Sequence, residues 1–503
     1  MDEIQMQPFM LFPALISLFL LWFITRSFIK PGGKNNLPPS PPKLPILGNL
    51  NALNSLPHQY LHSLAKKHGP LMLLQLGAIP TLIVSSADAA REMMRTHDLD
   101  FSHRYAFRVQ AKLLYNYKDL ALSPYGEFWR QLKSIFVLKL LSNKMVQSFH
   151  SIREEETSIL IKRIREHIPS GGSVNLRDML PQFTNYVVGR SACGRNYNGK
   201  RFWVLLKELS ELMGAVGIPD FFPWLSWITR LNGLDKKVDR FVKRMDDFLE
   251  GMIKERLQTR KEQAHVLEGN RDNFLDILLD IYEGNTGDVS MDKDGIKAML
   301  LNVFLAGVDS TSTVMEWVMT ELLRHPTVME KLQNEIRRIV KDEQDVKDED
   351  IQKMHYLKAV IKETLRYHPP IPLILRIQGN NDVKIKGYDV RAGTLVMINA
   401  WAIGRDPASW DEPEKFQPER FLNSSIDFKG LDFELIPFGG GRRGCPGIAF
   451  SAATIEFVLA NLLHKFNWEL PDGAQGQDLD MTERLMGTLH RDIPLMAVAT
   501  PIK

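Results

Sequence analysis

The chain sets one thiol, Cys445, in the loop Pro437–Gly447, among five glycines and beside Arg442 and Arg443. Glycine lets a backbone take left-handed conformations and come close to a flat ligand, while Pro446 keeps Cys445 from simply continuing a helix. Amide N–H groups in such a turn, with arginines near, favour the thiolate over the thiol. A thiolate held this way is an axial ligand for haem iron. Two other readings stay open on the loop alone. One is a flexible Gly/Arg surface turn. The other is a dinucleotide loop, since Gly439, Gly441 and Gly444 match G-x-G-x-x-G. That reading needs a βαβ unit with an acidic residue about 20 positions on, and the remaining chain is too short for a doubly wound sheet.

A second stretch able to do chemistry lies inside a long apolar segment, Asp292 to His325. Ala298 to Val308 is almost wholly apolar, Asp309, Ser310, Thr311, Ser312 and Thr313 interrupt it, and the helical pattern resumes from Val314. A carboxylate and hydroxyls in a buried helix need partners, and Ser/Thr side chains can bond back to carbonyls and bend the helix. A kinked core helix explains this as well as a reactive site does. The segment is too polar at its middle to span a bilayer. Glu363 and Arg366 share a helix face by i, i+3 spacing, which alone reads as a surface salt bridge, and Trp129 and Lys133 by i, i+4, which ordinary helix packing explains equally well.

The positioning elements are mostly helical. Strands are expected over Leu71–Leu76 and Thr81–Ser85, and helices over Ala87–Thr96, Tyr125–Leu141 and Lys353–Tyr367, the last stopped by Pro369-Pro370. A chain of 503 residues with 44% hydrophobic content can bury a large core, and a formal charge of +3 gives no sign of nucleic-acid binding. Two cysteines exclude a disulfide framework, and Cys193 reads as a buried structural thiol. Pro8 to Ile24 is apolar apart from Ser17 and reads as a retained membrane anchor. Arg26, Lys30 and Lys34 follow it, which places the body of the chain in the cytoplasm. Leu37 to Pro45 is proline-rich and stiff, a spacer between anchor and body. Asn423-Ser424-Ser425 is a glycosylation sequon that would go unused on the cytoplasmic side. Ile218, Phe221, Phe222, Trp224, Leu225, Trp227 and Ile228 form either core or a second membrane-surface contact. Gln263 to Asn273 reads as an exposed polar loop.

Phe438, Gly441, Arg443, Cys445 and Gly447 reproduce the F-x-x-G-x-R-x-C-x-G haem-binding loop, and by it the chain resembles the cytochrome P450 superfamily. Four further stretches resemble that superfamily in the same order: the proline hinge, in which Ser40 stands where a glycine is usual; Ala306-Gly307-Val308-Asp309-Ser310-Thr311; Glu363-Thr364-Leu365-Arg366; and Gln417-Pro418-Glu419-Arg420-Phe421. Leu37–Pro42, Tyr125–Arg130 and Lys362–Pro370 are similar to the plant A-type microsomal group, family seventy-one.

The resemblance implies a mainly α fold with a small β region, divided into an anchor (1–30), a hinge (31–50) and a haem-thiolate domain (51–503). Haem b would be held by Cys445, with Trp129, Lys133 and Arg376 toward its propionates, and with Phe438, Gly441, Arg443 and Gly447 forming the loop. Lys133 replaces the usual arginine, keeping the charge but losing the bidentate fork. Ala306 and Gly307 would leave room over the haem, and Asp309 and Ser310 would relay protons. Serine stands there where most relatives have threonine, and Thr311 could substitute only by a shift of register. Glu363, Arg366 and Arg420 would form a buried structural network. Ala306, Val308, Ile371, Leu373, Ile374, Thr488 and Leu489 would line an apolar pocket. The implied partners are an NADPH-dependent flavoprotein reductase on a basic face that includes Arg130, Lys139, Lys144 and Arg442, the endoplasmic reticulum membrane, O2, and a lipophilic plant metabolite such as a terpenoid, alkaloid or phenolic. Hydroxylation is the expected reaction. A haem-thiolate isomerase or dehydratase acting on a peroxide, or a non-enzymatic haem protein, are the alternatives, and NADPH dependence separates them.

Overall fold

The computed structural model describes residues 36–105, 107–168, 172–195, 199–262, 273–284, 291–341 and 345–502. The run Pro8–Ile24 with Arg26, Lys30 and Lys34, and the polar stretch 263–272, lie outside the described residues. The elements that position the site are α1 (Pro57–His68), β1 (Leu71–Leu76), β2 (Ile79–Val84), α2 (Ala87–Arg91), α3 (Glu127–Ser134), α4 (Leu176–Cys193), α5 (Lys293–Arg324), α6 (His355–Tyr367), β3 (Leu373–Ile377), β4 (Leu395–Asn399), α7 (Ile448–Lys465), β5 (Glu483–Met486) and β6 (Thr488–Arg491).

A four-stranded sheet runs β1-β2-β4-β3. The strands β1 and β2 pair antiparallel, Leu71 opposite Val84, whereas β2 and β4 pair parallel from Thr81–Leu395 onward. Pro80 therefore sits just before the doubly bonded part of β2, where its missing N–H costs no ladder bond. The helix expected over Ala87–Thr96 passes into wider turns at Glu92–Thr96, and that over Tyr125–Leu141 does so at Ile135–Leu140. From Asn36 onward the proline-rich segment is fastened to the domain rather than standing clear of it. Leu73 N–H donates to Pro39 O at 2.8 Å, and the Asn49 side chain bonds both Pro42 O and Gln75 N–H.

The axis of the fold is α5, 32 residues and about 48 Å long. Asp292 caps it, its side chain accepting from Gly295 N–H at 2.8 Å. The helix runs unbroken through Asp309–Thr313, and Ser310 and Ser312 satisfy their hydroxyls within it on the carbonyls of Ala306 and Asp309. It packs along α4, α6, α7 and β6. Cys193 is buried at the end of α4.

On α6, Glu363 and Arg366 are wholly buried and meet in a two-pronged pair at 2.7 and 2.8 Å. Glu363 also accepts from Arg420 Nε at 3.1 Å and from Gln417 N–H at 2.8 Å. Arg366 spends its remaining N–H groups on the carbonyls of Gly404, Pro413 and Lys415. Removing one member strands a buried charge, so Glu363→Ala should cost about 3–5 kcal/mol, read as a lower melting temperature and a lower folded yield.

A second buried group joins Glu321 of α5 to His368 at 2.7 Å and His325 at 3.2 Å, with Trp317 stacked on His368 at 3.7 Å. Burial opposes ionisation of Glu321, but the bonds from the two histidines outweigh it and bring its carboxyl down to about 2. The stabilisation this gives is complete above the ordinary glutamate range and is lost as pH falls through it toward about 2. Unfolding measured between pH 7 and pH 3 should therefore show a shallower acid loss in Glu321→Gln than in the parent chain.

Candidate active site

The Cys445 loop is shaped by backbone bonds of its own. Gly439 N–H donates to Ile436 O, Gly444 N–H to Gly441 O and Cys445 N–H to Phe438 O, each at 3.0 Å. Gly439 and Gly441 have φ of 71° and 62°. A Cβ on Gly441 would stand 2.4 Å from both Asp98 Oδ1 and Met94 O, so only glycine fits there. Gly447 caps α7 and donates its N–H to Cys445 Sγ at 3.3 Å. Phe438 packs on Phe428 with ring centroids 5.4 Å apart.

Around the loop the cations divide differently from what adjacency in sequence suggests. Arg442 is exposed and paired with Asp98 at 3.3 Å. Arg443 turns away from the thiol: Nε donates to Ser102 O, Nη1 to Leu120 O and Nη2 to Ser123 O, and its plane lies 4.2 Å over the Trp129 ring. The charges acting on Cys445 are those of Lys133 and Arg104. Burial pushes the thiol up, and the Gly447 N–H, Lys133 and Arg104 pull against that rise. Trp129 gives its indole N–H to Leu120 O at 3.1 Å, and Lys133 gives Nζ to Gly444 O at 2.7 Å, its own pKa lowered by burial. Lys133 is thus bonded to the loop itself, and Trp129 meets it through the Arg443 guanidinium stacked on its ring.

Three guanidiniums gather here with bonds going only to backbone carbonyls among the described residues. Arg376 on β3 is buried, with contacts of 3.4 Å to Leu375 O and Gly440 O. Burial and the charges of Arg104 and Arg443 hold it far below its ordinary pKa. Arg104 reaches Leu375 O at 2.6 Å and Arg443 O at 3.4 Å, its Nε has no hydrogen-bond partner among the described residues, and burial brings it to about 10. Arg443 falls to about 9, chiefly by burial. Such a set calls for anionic groups at its centre. Haem, with an iron for the thiolate and two carboxylates for the arginines, fits this donor set.

On α5 a rotation of about 100° per residue puts Ala306, Asp309, Ser310 and Thr313 on one face. Ala306 is exposed there and accepts the Ser310 hydroxyl at 2.6 Å. Gly307 is not a spacer toward a ligand: a Cβ on it would stand 3.0 Å from Val188, so it allows α4 and α5 to approach. Val308 is not a lining residue either, being buried on the α4 side with its carbonyl accepting from Thr184. Thr311 points to α7, its hydroxyl 3.2 Å from that of Ser451, and so ties α5 to the helix that follows Cys445. Asp309 accepts from Thr488 Oγ1 at 2.7 Å and lies 3.3 Å from His490 Nε2.

Among the other expected lining residues, Ile371 is exposed, Leu373 is half-buried, and Ile374 reaches within about 4 Å of where a Gly439 Cβ would be. Thr488 faces Asp309 rather than open space. Leu489 is fully buried, its N–H bonded to Pro370 O and its carbonyl to Trp317 Nε1, so it offers no surface to a ligand. Arg104 and His490 escaped sequence reading, since each lies in a short irregular or two-stranded segment with no periodic signal.

A glycine-caged thiol at a helix start, buried arginines beside its loop and an acid–hydroxyl pair on α5, which Thr311 ties to that helix, are what a haem-thiolate oxygenase needs. The cytochrome P450 family model matches residues 38–495, and the chain belongs to the cytochrome P450 family: it is a monooxygenase of that family with haem as cofactor. It is 54% identical to cytochrome P450 71A8 of Mentha piperita over 99% of this chain and 97% of that one. It is 44% identical to norfluorocurarine oxidase of a Strychnos species (98% of each chain), and 43% identical to tabersonine/lochnericine 19-hydroxylase of Catharanthus roseus (98% of this chain, 96% of that one). A zebra fish cytochrome P450 solved with progesterone superposes with a TM-score of 0.74 at 25% identity, covering 89% of this chain and all of that one.

Replacing Arg376 separates the two sides of this electrostatic balance. Arg376→Met should lower the haem content of the purified protein while leaving the haem-free chain as stable as the parent or more so, because it relieves repulsion among buried cations. Pyridine haemochrome assay and thermal unfolding of both forms read the two effects.

Proposed function

We propose that this chain is an endoplasmic-reticulum monooxygenase that hydroxylates a lipophilic plant specialised metabolite, drawing electrons from an NADPH-dependent flavoprotein reductase. The single observation that carries the chemistry is that the helix starting beside Cys445 is tied, through Ser451 and Thr311, to the α5 helix that bears Ala306, Asp309 and Ser310. Haem supplies, when bound, the activation of dioxygen and the insertion of one oxygen atom into the substrate. Cys445 would supply the thiolate that holds the haem iron, itself held by the Gly447 N–H at the start of α7. Arg104 and Arg376 would hold the haem carboxylates, and Trp129, Lys133 and Arg443 brace the loop. Ala306 leaves room beside the reacting atoms. Ser310 and Asp309 hold protons at that face, with the Ser310 hydroxyl free to turn from its helix carbonyl. Ile371, Leu373 and Ile374 border the substrate. The kinship with an alkaloid oxidase and an alkaloid 19-hydroxylase favours an alkaloid or terpenoid skeleton.

In this reading residues 1–30 anchor the chain, 31–50 form the hinge and 51–503 the cytoplasmic catalytic domain. The aromatic cluster supports a membrane-facing surface beside the anchor. Phe221 and Phe222 are core, whereas Ile218, Trp224, Trp227 and Leu231 are exposed. Leu44, Ile46 and Leu47 are exposed too, and the Gly77-Ala78 turn joins the two stretches through Leu47 O and Phe221 O. Such Trp- and Leu-rich surface suits the bilayer interface. The reductase docks on a basic face, where Arg130, Lys139 and Lys144 are exposed in the same stretch as Val137 and Leu138.

Microsomes carrying the chain and a plant reductase should turn over lipophilic alkaloids or terpenoids only with NADPH and O2. Asp309→Asn should cut product formation by about 10²-fold while the protein keeps its haem. Turnover of a peroxide substrate without NADPH would instead indicate an isomerase or dehydratase.

A further inference from the structure

The antiparallel hairpin β5–β6 turns at Gly487, with Thr488 opposite Met486 and His490 opposite Arg484. Residues two apart on a strand share a face, so Thr488 and His490 point together toward the middle of α5. There they meet Asp309 and Thr313. His490 and Thr488 are both buried. Arg484 faces outward and pairs with Asp492 at 3.3 Å, leaving Asp309 as the charged group against the imidazole.

The hydroxyl protons fix the bonding. An ionised carboxylate only accepts, so the Thr488 proton goes to Asp309 Oδ2 at 2.7 Å. Thr488 has no second proton, so the 2.8 Å contact between its oxygen and His490 Nε2 requires the imidazole to carry hydrogen on Nε2. The same N–H lies 3.3 Å from Asp309 Oδ1. On the other side, Nδ1 is 3.2 Å from Thr313 Oγ1, which is also 3.2 Å from Thr488 Oγ1. A neutral ring accepts the Thr313 proton at Nδ1. A protonated ring donates to Thr313 instead, and the Thr313 proton turns to Thr488. Both protonation states are therefore fully bonded, a property ordinary core packing does not need. The described hydrogen-bond and ion-pair partners of the Asp309 carboxylate, Thr488 and His490, are both on the hairpin.

We propose that His490, acting through Thr488 and directly on Asp309, is a positioning residue that holds the Asp309 carboxylate next to Ser310 and governs how much of the electron flow ends in product. The inference rests on the reading of Asp309 as the proton-holding acid of the site. Without His490 the carboxylate loses one of its two donors and swings out of register with Ser310. Protons then arrive at the wrong moment, and the two electrons from NADPH leave as hydrogen peroxide rather than in water and product.

The test uses full-length protein with haem and reductase, and reads NADPH consumed, product formed and peroxide released for the parent, His490→Phe, His490→Gln, Thr488→Val and Asp309→Asn. We expect His490→Phe to keep the thiolate-type carbon monoxide band and substrate KM while product per NADPH drops at least about fivefold and peroxide rises to match. His490→Gln, which keeps an N–H donor near Nε2, should recover most of the coupling, and a crystal structure of His490→Phe should show Asp309 in another rotamer. Thr488→Val carries the same expectation if His490→Phe fails to take up haem. Coupling within about twofold of the parent in both His490→Phe and Thr488→Val overturns the proposal. Asp309→Asn tells the two failures apart: if it is uncoupled while the hairpin variants are not, only the role of His490 falls; if it stays coupled, the reading of Asp309 itself is wrong.

Discussion

The electrostatic balance around Cys445 is the constraint on which the rest depends. Arg104, Arg376 and Arg443 come from an irregular segment, a strand and the thiol loop, and meet in a region where burial lowers all three. Their described bonds go to carbonyls, which satisfy N–H groups without neutralising charge. A polypeptide keeps such an arrangement only if something anionic shares it, and the haem carboxylates of this family are of that kind. The Cys445 thiol is likewise raised by burial, while Lys133, Arg104 and the Gly447 N–H pull it back toward the thiolate.

Helix α5 turns that local balance into a reaction site by facing three ways. Its Gly307 side closes against Val188, its Thr311 side is tied to Ser451 on the helix that begins beside Cys445, and its Ala306–Ser310 side stays open. The position of Asp309 and Ser310 relative to the helix that follows Cys445 is therefore set by helix packing rather than by a loop. The Glu363–Arg366–Arg420 group does similar service for the segment leading into the loop, by gathering the carbonyls of residues 404–415.

Much of this was legible in sequence, and what was not has a common cause. The Cys445 loop, the α5 interruption and the Glu363–Arg366 pair are local patterns, and each could be read from spacing. Yet spacing says nothing of direction: Arg443 adjoins Gly444 and Cys445 in sequence but spends its charge on Ser102, Leu120 and Ser123, while the cations near the sulfur come from positions 104 and 133. Gly307 and Val308 lie within the motif, and only the packing of α4 shows that they face away from the open side. Thr488 and Leu489 were expected beside a ligand through the family resemblance alone. The strand alternation instead sends Thr488 to Asp309 and leaves Leu489 buried. The aromatic stretch at 218–228 proved to be two things at once, core at Phe221 and Phe222 and open surface at Trp224 and Trp227.

The measurement that bears most directly on the account is the reduced carbon monoxide difference spectrum of membranes containing the chain, compared with Cys445→Ala. A red-shifted thiolate-type Soret band that vanishes in the variant, with the variant still folded, is the predicted result. A band that persists in Cys445→Ala, or its absence from well-folded parent protein that has taken up haem, would contradict the assignment of Cys445 as the axial ligand.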